Sequence, residues 1–203
     1  MRTSDLQITN EDCMDLMSRY PDKYFELAIV DPPYRDANQP TKDMRASGSM
    51  KSLEGRPKQS FWNELIRVSK EQIIFGANNF QLPQFKGFIV WDKNISFDFT
   101  MSMAEIASLS EGLGTISKII KIRAAGQQNR IHPTQKPVKL YEWLLKNYAK
   151  EGDKILDTHL GSGSSAIACW NMGFDLVACE LDKEYYDSAM ARIQVVKNQL
   201  RLF

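Results

Sequence analysis

Residues 154–180 of the sequence read KILDTHLGSGSSAIACWNMGFDLVACE. The stretch begins with a short apolar strand pattern that ends in an acidic residue, Asp157, and continues into a turn rich in glycine and serine, Gly161 to Ser164. Small residues in a helical pattern follow, and a second apolar run ends at Glu180. A strand, a glycine-rich turn, a helix and a second strand in this order are typical of a parallel α/β sheet.

This stretch has the properties of a nucleoside-binding site. Glycines in the turn allow the backbone to pass close to a ligand, and an acid at the end of the second strand is placed to accept hydrogen bonds from both ribose hydroxyls. The candidate cofactor contacts are Asp157, Gly161, Ser162, Gly163, Ser164, Glu180 and Leu181. The same pattern also occurs where a tight turn packs a helix against a sheet without any ligand.

Two features narrow the choice of cofactor. Residues 181–203 leave no room for the second half of a dinucleotide-binding domain, and no lysine follows the glycines as it does in a phosphate-binding loop. A nucleoside cofactor without pyrophosphate remains, and S-adenosylmethionine fits this description.

Other apolar runs extend the alternation of strands and helices. Strand patterns occur at 25–30, 72–75, 87–91, 154–156 and 175–179, and helical patterns at 11–19, 61–68, 138–149, 164–172 and 183–200. Several strands are apolar throughout, as expected of parallel strands that are buried on both faces. We therefore predict a single α/β domain over 1–203, with a doubly wound, mostly parallel sheet and helices on both faces.

A second chemical motif, Asp31-Pro32-Pro33-Tyr34, directly follows the strand at 25–30. The two prolines hold the backbone extended and lack N–H donors, so Asp31 and the carbonyl groups form a cluster of hydrogen-bond acceptors beside an aromatic ring. An exocyclic aromatic amine offers two N–H donors to such a cluster. Accepting both would favour the electron-rich nitrogen that attacks an electrophile, while Tyr34 stacks on the base. The alternative is an Asp-Pro-Pro turn in which Asp31 only caps a backbone N–H.

Composition excludes several classes of protein. Lys and Arg total 26 against 25 Asp and Glu, so the net charge of +1 does not indicate a nucleic-acid binder. The 3 cysteines form no closely spaced pair and suit a reducing, cytoplasmic environment, and the 2 histidines lie far apart, so we expect no metal site. No apolar run is long enough for a membrane span, and we expect no membrane partner.

Positive charge is nevertheless concentrated in two segments. Residues 35–58 carry six Lys or Arg against three Asp or Glu, and residues 115–141 carry six Lys or Arg and no acid. The first segment is too long for an ordinary connection, and we expect a mobile loop that closes on nucleic acid. The candidate phosphate contacts are Arg35, Lys42, Arg45, Lys93, Lys118, Lys121, Arg123 and Arg130. A solvated basic face is the competing interpretation of the second segment.

With both motifs in place, the sequence resembles the amino-methylating DNA methyltransferases, which modify N6 of adenine or N4 of cytosine, in their permuted β-class order. In that order the DPPY motif precedes the glycine-rich motif, as it does in this chain. The resemblance extends to His132-Pro133-Thr134-Gln135-Lys136-Pro137. It implies that His132, Thr134 and Lys136 contact the methionine end of the cofactor.

The resemblance implies an S-adenosylmethionine-dependent enzyme that flips a base out of duplex DNA, with Asp31 also close to the cofactor. Aspartate at the first motif position favours adenine N6 over cytosine N4 as the target. Residues 75–80 and 90–93 are similar to segments of short, phage-type members. The chain departs from the family pattern at Thr158-His159-Leu160, which places His159 either at the edge of the cofactor or, equally, facing solvent beside the start of the helix.

Three other interpretations remain open at this point. The target could be N4 of cytosine in DNA or an adenine in RNA, and the third interpretation is a DNA-binding protein without catalysis. Only residues 97–130 are available as a target-recognition insertion, so we expect short or loose sequence specificity unless residues 35–58 contribute. The sequence does not distinguish a monomer from a homodimer.

Overall fold

The computed structural model describes residues 4–34, 55–96, 102–124 and 130–199. The strands in these ranges are β1 Leu6–Asn10, β2 Phe25–Val30, β3 Ser69–Phe75, β4 Gly87–Asp92, β5 Ala104–Leu109, β6 Lys118–Lys121, β7 Lys154–Asp157 and β8 Asp175–Glu180. The helices are α1 Cys13–Ser18, α2 Gln59–Val68, α3 Val138–Tyr148, α4 Ser164–Met172 and α5 Lys183–Asn198. Short 3-10 turns lie at Ala77–Asn79 and Glu111–Leu113.

Within the described ranges, the strands form one 8-stranded sheet in the order β1-β8-β7-β2-β3-β5-β4-β6. Neighbours from β1 to β3 are all parallel. Strand β5 runs antiparallel to both β3 and β4, and β6 is again parallel to β4. The predicted fold class, a mostly parallel sheet with helices on both faces, is confirmed.

Two apolar cores lie on the two faces of the sheet, and β2 contributes to both. Leu27 and Ile29 belong to the core that packs against α3 and α4. Ala28 and Val30 point to the opposite face, into the core formed with α1 and α2. This double burial explains why the strand is apolar at successive positions rather than alternating. Each fully buried Leu or Ile contributes about 1.5–3 kcal/mol of transfer free energy.

The predicted elements differ from the observed ones mainly at their ends. The first helix begins at Cys13, and its N-cap is Asp12, whose carboxylate accepts a hydrogen bond of 2.7 Å from the Met14 amide. Asn10, which precedes the helical pattern at 11–19, is the last residue of β1, and its side chain donates to the Glu180 carbonyl at 2.7 Å. The sequence pattern did not predict β1, because three of its 5 residues are polar and the strand is short.

The proposed insertion at 97–130 is in part a component of the sheet. Residues Ala104–Leu109 form β5 and Lys118–Lys121 form β6, so both belong to the scaffold. Residues 97–101 and 125–129 lie outside the described ranges. The role of the rest of this segment in target recognition stays a prediction.

Two further observations concern the described residues as a set. None of their helices is long and apolar enough to cross a membrane. In the same part of the chain, no group of three or more His, Cys, Asp and Glu side chains is arranged to hold a metal ion.

Candidate functional site

The site lies at one edge of the sheet, where the parallel strands β2, β7 and β8 end. Asp31 follows β2, Thr158 follows β7, and Glu180 is the last residue of β8. Because β5 is antiparallel, its beginning lies at this same edge, and so Glu105 joins the other three. The carboxyl edge of an open α/β sheet is where ligands bind in this architecture.

A cavity of about 650 Å³ opens at this edge. This volume is in the range that small-molecule sites occupy. The predicted site residues in its lining are Asp31, Pro32, Pro33, Tyr34, His132, Thr134, Lys136, His159, Gly161, Ser162, Ser164, Glu180 and Leu181. The structure therefore brings the two sequence motifs and the 132–137 segment into one cavity.

Asp31 is held on both carboxylate oxygens. The Tyr34 hydroxyl donates to Oδ1 at 2.6 Å, and the Lys136 ammonium donates to Oδ2. The Asp31 side chain is only 14% exposed and that of Lys136 only 3%. Burial raises the pKa of Asp31, against the opposing effect of Lys136. Burial by itself would lower the pKa of Lys136, but Asp31 and a second carboxylate hold this pKa above its ordinary value.

That second carboxylate is Glu105, which the sequence analysis did not identify. Its Oε2 lies 3.1 Å from Lys136 Nζ and accepts from the Tyr34 hydroxyl at 3.2 Å. Its Oε1 lies 2.6 Å from the Nζ of Lys93. Burial by itself would raise the pKa of Glu105, but the two ammonium groups outweigh it and hold this pKa at about 2.

Lys93, one of the predicted nucleic-acid contacts, lies in the interior next to Glu105. The residue is buried, with 8% of its surface exposed, and its ammonium is directed to Glu105 rather than to solvent. It follows β4 at the same edge as Glu105, and its amide donates to the Met103 carbonyl at 2.9 Å. A sequence does not distinguish a buried lysine from an exposed one that contacts phosphate. The structure shows that the Lys93 ammonium pairs with Glu105.

Tyr34 is positioned by a glycine. Gly76 has a φ of 66°, and a Cβ added there would lie 2.2 Å from Cε1 of the Tyr34 ring. The ring also contacts Phe80 edge-on, with a centroid distance of 6.0 Å. The close approach of the tyrosine ring therefore requires glycine at position 76.

The glycine-rich turn has the geometry of a ligand cradle. Gly161 has a φ of 54°, and its amide donates to Glu180 Oε2 at 2.8 Å. The other Glu180 oxygen accepts from the Asp182 amide at 3.0 Å. Burial raises the pKa of Glu180, while these backbone donors act in the opposite direction. The carboxylate is thus fixed at the cavity wall with lone pairs still available for ligand hydroxyls.

Two predicted contacts lie behind the cavity wall rather than in it. Asp157 is 2% exposed, and its oxygens accept from the Ser165 hydroxyl at 2.5 Å and the His159 amide at 3.0 Å. Gly163, at a φ of 74°, faces α5, where an added Cβ would lie 3.0 Å from Ile193 Cδ1. Both residues shape the turn, and neither belongs to the cavity lining. Their role as direct cofactor contacts stays a prediction.

The C-terminal helix holds the turn from outside. Arg192 on α5 donates to the Ser162 carbonyl at 2.7 Å and lies 2.9 Å from the Ser164 hydroxyl oxygen. The Ser164 hydroxyl in turn donates to the Lys136 carbonyl at 2.7 Å. These contacts connect the glycine-rich turn to the 132–137 segment.

Both histidines of the chain line the cavity and are uncharged at neutral pH. Burial lowers the pKa of His132 to about 4, and Lys136 acts in the same direction. Burial also lowers the pKa of His159 to about 4. The His132 ring contacts Tyr185 at a centroid distance of 4.5 Å, and the His159 ring contacts Phe61 at 5.4 Å.

Several lining residues were missed by the sequence analysis. Glu11 to Met14 follow β1 and Glu105 lies on β5, two strands that the sequence pattern did not locate. The missed residues are Glu11, Asp12, Cys13, Met14, Phe61, Glu105, Tyr141, Asp182 and Tyr185. Asp12 carried the clearest signal, since an acid that caps a helix directly after a parallel strand lies at the carboxyl edge of the sheet.

The predicted phosphate contacts fall into three groups. Arg35, Lys42 and Arg45 lie outside the described residues. Lys121 and Arg123 are exposed where β6 ends, at the same sheet edge as the cavity.

Lys118 and Arg130 are half-buried. The Lys118 ammonium lies 5.0 Å from the centre of the Tyr148 ring, so this side chain packs on α3. Burial lowers the pKa of Arg130.

Known proteins resemble the chain in sequence over most of its length. Residues 17–191 match the sequence profile of a family described as DNA methylase. A protein of Escherichia coli (strain K12) named as a methylase, YubD, is 22% identical over 212 residues, which cover 94% of this chain and 91% of that protein.

Two solved structures are similar in fold. The M1.HpyAVI–SAM complex has a TM-score of 0.65 at 18% identity, covering 93% of this chain and 98% of that one. The cytosine-N4-specific PvuII DNA methyltransferase has a TM-score of 0.67 at 12% identity, covering 97% and 93%. These likenesses support the arrangement of the sheet and its helices.

Replacing Asp157 with Asn should change how stability depends on pH. The folded protein holds this carboxyl at a pKa of about 7, whereas an unfolded chain has it near about 3.9. At a pH between these two pKa values, the carboxyl gains a proton when the chain folds. The stabilising contribution of Asp157 is therefore fully present at low pH. As the pH rises towards 7, on the order of 4 kcal/mol of this contribution is lost.

Urea unfolding of the unmodified protein and of Asp157→Asn from pH 5 to 8 measures this effect. The difference in free energy of unfolding between them should shift in favour of the variant as the pH rises. Asp187→Asn on the exposed face of α5 is the matched control and should keep the pH dependence of the unmodified protein. Parallel pH curves for all three proteins would contradict the buried, protonated state of Asp157.

Proposed function

The chain belongs to the DNA methylase family, and we propose from this premise that it methylates N6 of adenine in DNA. Its class is that of the S-adenosylmethionine-dependent DNA methyltransferases that modify exocyclic amines. S-adenosylmethionine, the cofactor predicted from the sequence, is confirmed. Adenine as the base, and its extrusion from the duplex, are the further steps that we propose.

One observation carries the proposal: the acceptor cluster and the nucleoside cradle line a single cavity. Asp31 and Tyr34 form one part of its wall, and Gly161, Ser162 and Glu180 form another. An amine bound at the first part and an adenosine bound at the second would therefore be held side by side. Such positioning of two reactants contributes a large share of the rate in a transfer reaction.

The cofactor fits the residues that are present. Glu180 offers carboxylate oxygens to ribose hydroxyls, and the amide of Gly161 holds that carboxylate at the cavity wall. His132 and His159 are neutral, so they do not repel a cationic sulfonium. When bound, S-adenosylmethionine supplies an electrophilic methyl carbon on that sulfonium.

The residues around Asp31 prepare the amine for attack. We expect the Asp31 carboxylate and the Pro32 carbonyl to accept the two N–H groups of the base. These hydrogen bonds grow stronger as the nitrogen becomes positive, so they favour the transition state over the ground state. The nitrogen would accept the methyl group from the bound cofactor, which would leave as a neutral thioether. The nitrogen would then lose one proton, and the Asp31 carboxylate would accept it.

Base extrusion follows from the position of the acceptor cluster. A base that is stacked in a duplex cannot bring its exocyclic amine to a carboxylate inside a cavity, so we propose that the target is flipped out. Unstacking costs a few kcal/mol. Stacking on Tyr34 would offset about 1–3 kcal/mol of it.

The choice of adenine rests on Asp31. The resemblance of the DPPY motif to that of the adenine-modifying enzymes favours N6, whereas N4 of cytosine presents the same pair of N–H donors. The likeness to the PvuII enzyme concerns the fold and does not bear on the base, because only 12% of residues are identical.

Transfer of a labelled methyl group tests the function directly. The protein is incubated with S-adenosylmethionine and duplex DNA, single-stranded DNA or RNA, and the product nucleosides are then identified. We expect N6-methyladenine from DNA. N4-methylcytosine, or product from RNA alone, would replace the proposed target, and no product from any polymer would contradict the activity.

Asp31→Ala should abolish turnover and leave cofactor binding nearly intact. Removing one preorganised hydrogen-bonding group of this kind typically costs about 10²–10³ in kcat, while Glu180 and the glycine-rich turn remain. Methyl transfer measures the first effect, and calorimetric titration with S-adenosylmethionine measures the second. Full activity of the variant would remove Asp31 from catalysis.

Gly76→Ala should lower kcat by displacing Tyr34, since the new Cβ would fall 2.2 Å from the ring. Gly173→Ala is the matched control, because it has a similar φ of 81° but no atom within 4 Å of the added Cβ. Both variants carry the same backbone penalty, about 1 kcal/mol. Only Gly76→Ala should lose activity, and equal kcat values in the two variants would contradict a role for the tyrosine position.

Lys121→Gln combined with Arg123→Gln should weaken DNA binding and make its salt dependence less steep. Each lost phosphate contact lowers the slope of log K against log salt by about 0.9. The control is Lys70→Gln with Lys150→Gln, since both side chains are exposed near the opposite edge of the sheet, where β3 and β7 begin. Fluorescence anisotropy at several salt concentrations measures the slopes. Identical slopes for both double variants would favour a merely solvated basic face.

A further inference from the structure

Four charged side chains form a continuous row at the cavity wall, and three of them, Asp31, Glu105 and Lys136, line the cavity. Lys93 contacts Glu105, Glu105 contacts Lys136, and Lys136 contacts Asp31. Their side chains are 10%, 19%, 3% and 14% exposed in that order. The row alternates in sign and contains two carboxylates and two ammonium groups, so its net charge is zero.

Buried charges are stable only when they are paired. An ion that loses its partner in such a place keeps its cost of dehydration and gains nothing in return. Asp31 takes part in the proposed reaction, and Lys136 is its buried counter-charge. Glu105 is a second carboxylate in contact with Lys136, and the proposed reaction does not require it.

The contacts of Glu105 indicate what it does. Its Oε2 lies 3.1 Å from Lys136 Nζ and 3.2 Å from the Tyr34 hydroxyl oxygen. These are the same two groups that hold the oxygens of Asp31. Glu105 therefore fixes both partners of Asp31 from the far side, while Lys93 fixes Glu105 at 2.6 Å.

We propose that Glu105 is a positioning residue for methyl transfer and that Lys93 is its counter-charge. Together they aim Lys136 and Tyr34 at Asp31 and keep the row neutral, so that Asp31 remains an anionic hydrogen-bond acceptor of fixed direction. The inference rests on the proposed function, in which Asp31 accepts hydrogen bonds from the target amine.

Other titratable groups also act on this row from neighbouring elements. Within the described residues they are Tyr34 after β2, Asp157 at the end of β7, Tyr141 on α3 and His132 in the segment before α3. None of them changes in the variants below, so their contribution is common to all the proteins compared.

Substitutions at Glu105 and Lys93 should shift the pKa of Asp31 in opposite directions. Glu105→Gln leaves two ammonium groups beside a single carboxylate, which favours the ionised form of Asp31 and lowers its pKa. Lys93→Gln removes one positive charge from the row. The negative charge on Asp31 then becomes less favourable beside that of Glu105, so the pKa of Asp31 rises. The double variant restores a neutral row and should return the pKa to near its original value.

The experiment measures kcat/KM for DNA as a function of pH at saturating S-adenosylmethionine. The acid limb of this profile reports the pKa of an essential group in the enzyme before DNA binds. We expect that limb to move down by on the order of one pH unit in Glu105→Gln and up by a similar amount in Lys93→Gln. It should return in the double variant. Glu71→Gln on β3, whose carboxylate contacts Ser110 at 2.5 Å, is the control and should not move it.

A second comparison separates position from charge. Glu105→Asp keeps the charge but draws the carboxylate back by one methylene. We expect an unmoved acid limb with kcat reduced by about tenfold or more, because the contacts to Lys136 and Tyr34 lengthen. The double variant should show the same pattern, with a restored limb and a reduced kcat, and it remains informative if a charge-unbalanced single variant does not fold.

The outcomes distinguish the inference from the proposed function. Absence of methyl transfer by the unmodified protein contradicts the function. The row is then tested by ¹³C NMR titration of the Asp31 carboxyl in the same variants, which needs no turnover. Single variants that leave the titration of Asp31 unmoved, or move it in the same direction, overturn the role of Glu105 and Lys93.

Discussion

The charge of Asp31 is buried, and the rest of the site is arranged around keeping it there. A carboxylate that is only 14% exposed has lost most of its hydration, so cations and hydrogen-bond donors must replace the water. Lys136 and Tyr34 do so, and Lys136 is itself buried and needs Glu105. Because these groups come from β2, from β5 and from the segment before α3, the site forms only when those parts of the chain have docked.

The order of the strands joins the two chemical motifs in space. They are far apart along the chain, but β2 lies directly beside β7 in the sheet, so the residue after β2 and the turn after β7 share one edge. Arg192 and Ser164 then tie that turn to the segment that carries Lys136. A cofactor at the turn and an amine at Asp31, as we propose, would be positioned by the same part of the sheet, which suits a reaction that depends on alignment.

Prediction from the sequence succeeded where the signal is local. The strand at 25–30 and the helix at 164–172 were predicted with their observed bounds, because a run of apolar residues and a glycine-to-helix transition are visible in a short window. Strands β1 and β6 were missed because they are short and partly polar. Strand β5 was missed because its pattern is weak in isolation, and pairing with β3 and β4 stabilises it.

The sequence by itself determined the architecture, the cofactor type and the carboxylate that we propose for catalysis, since each depends on a motif of adjacent residues. Tertiary structure alone decided how Asp31 stays charged. In the folded chain, Asp157 and Gly163 lie behind the cavity wall, and Lys93 is the buried partner of Glu105. The physical reason is that burial and pairing of charge are properties of the surroundings. Those surroundings come from an antiparallel strand whose beginning meets the ends of parallel ones.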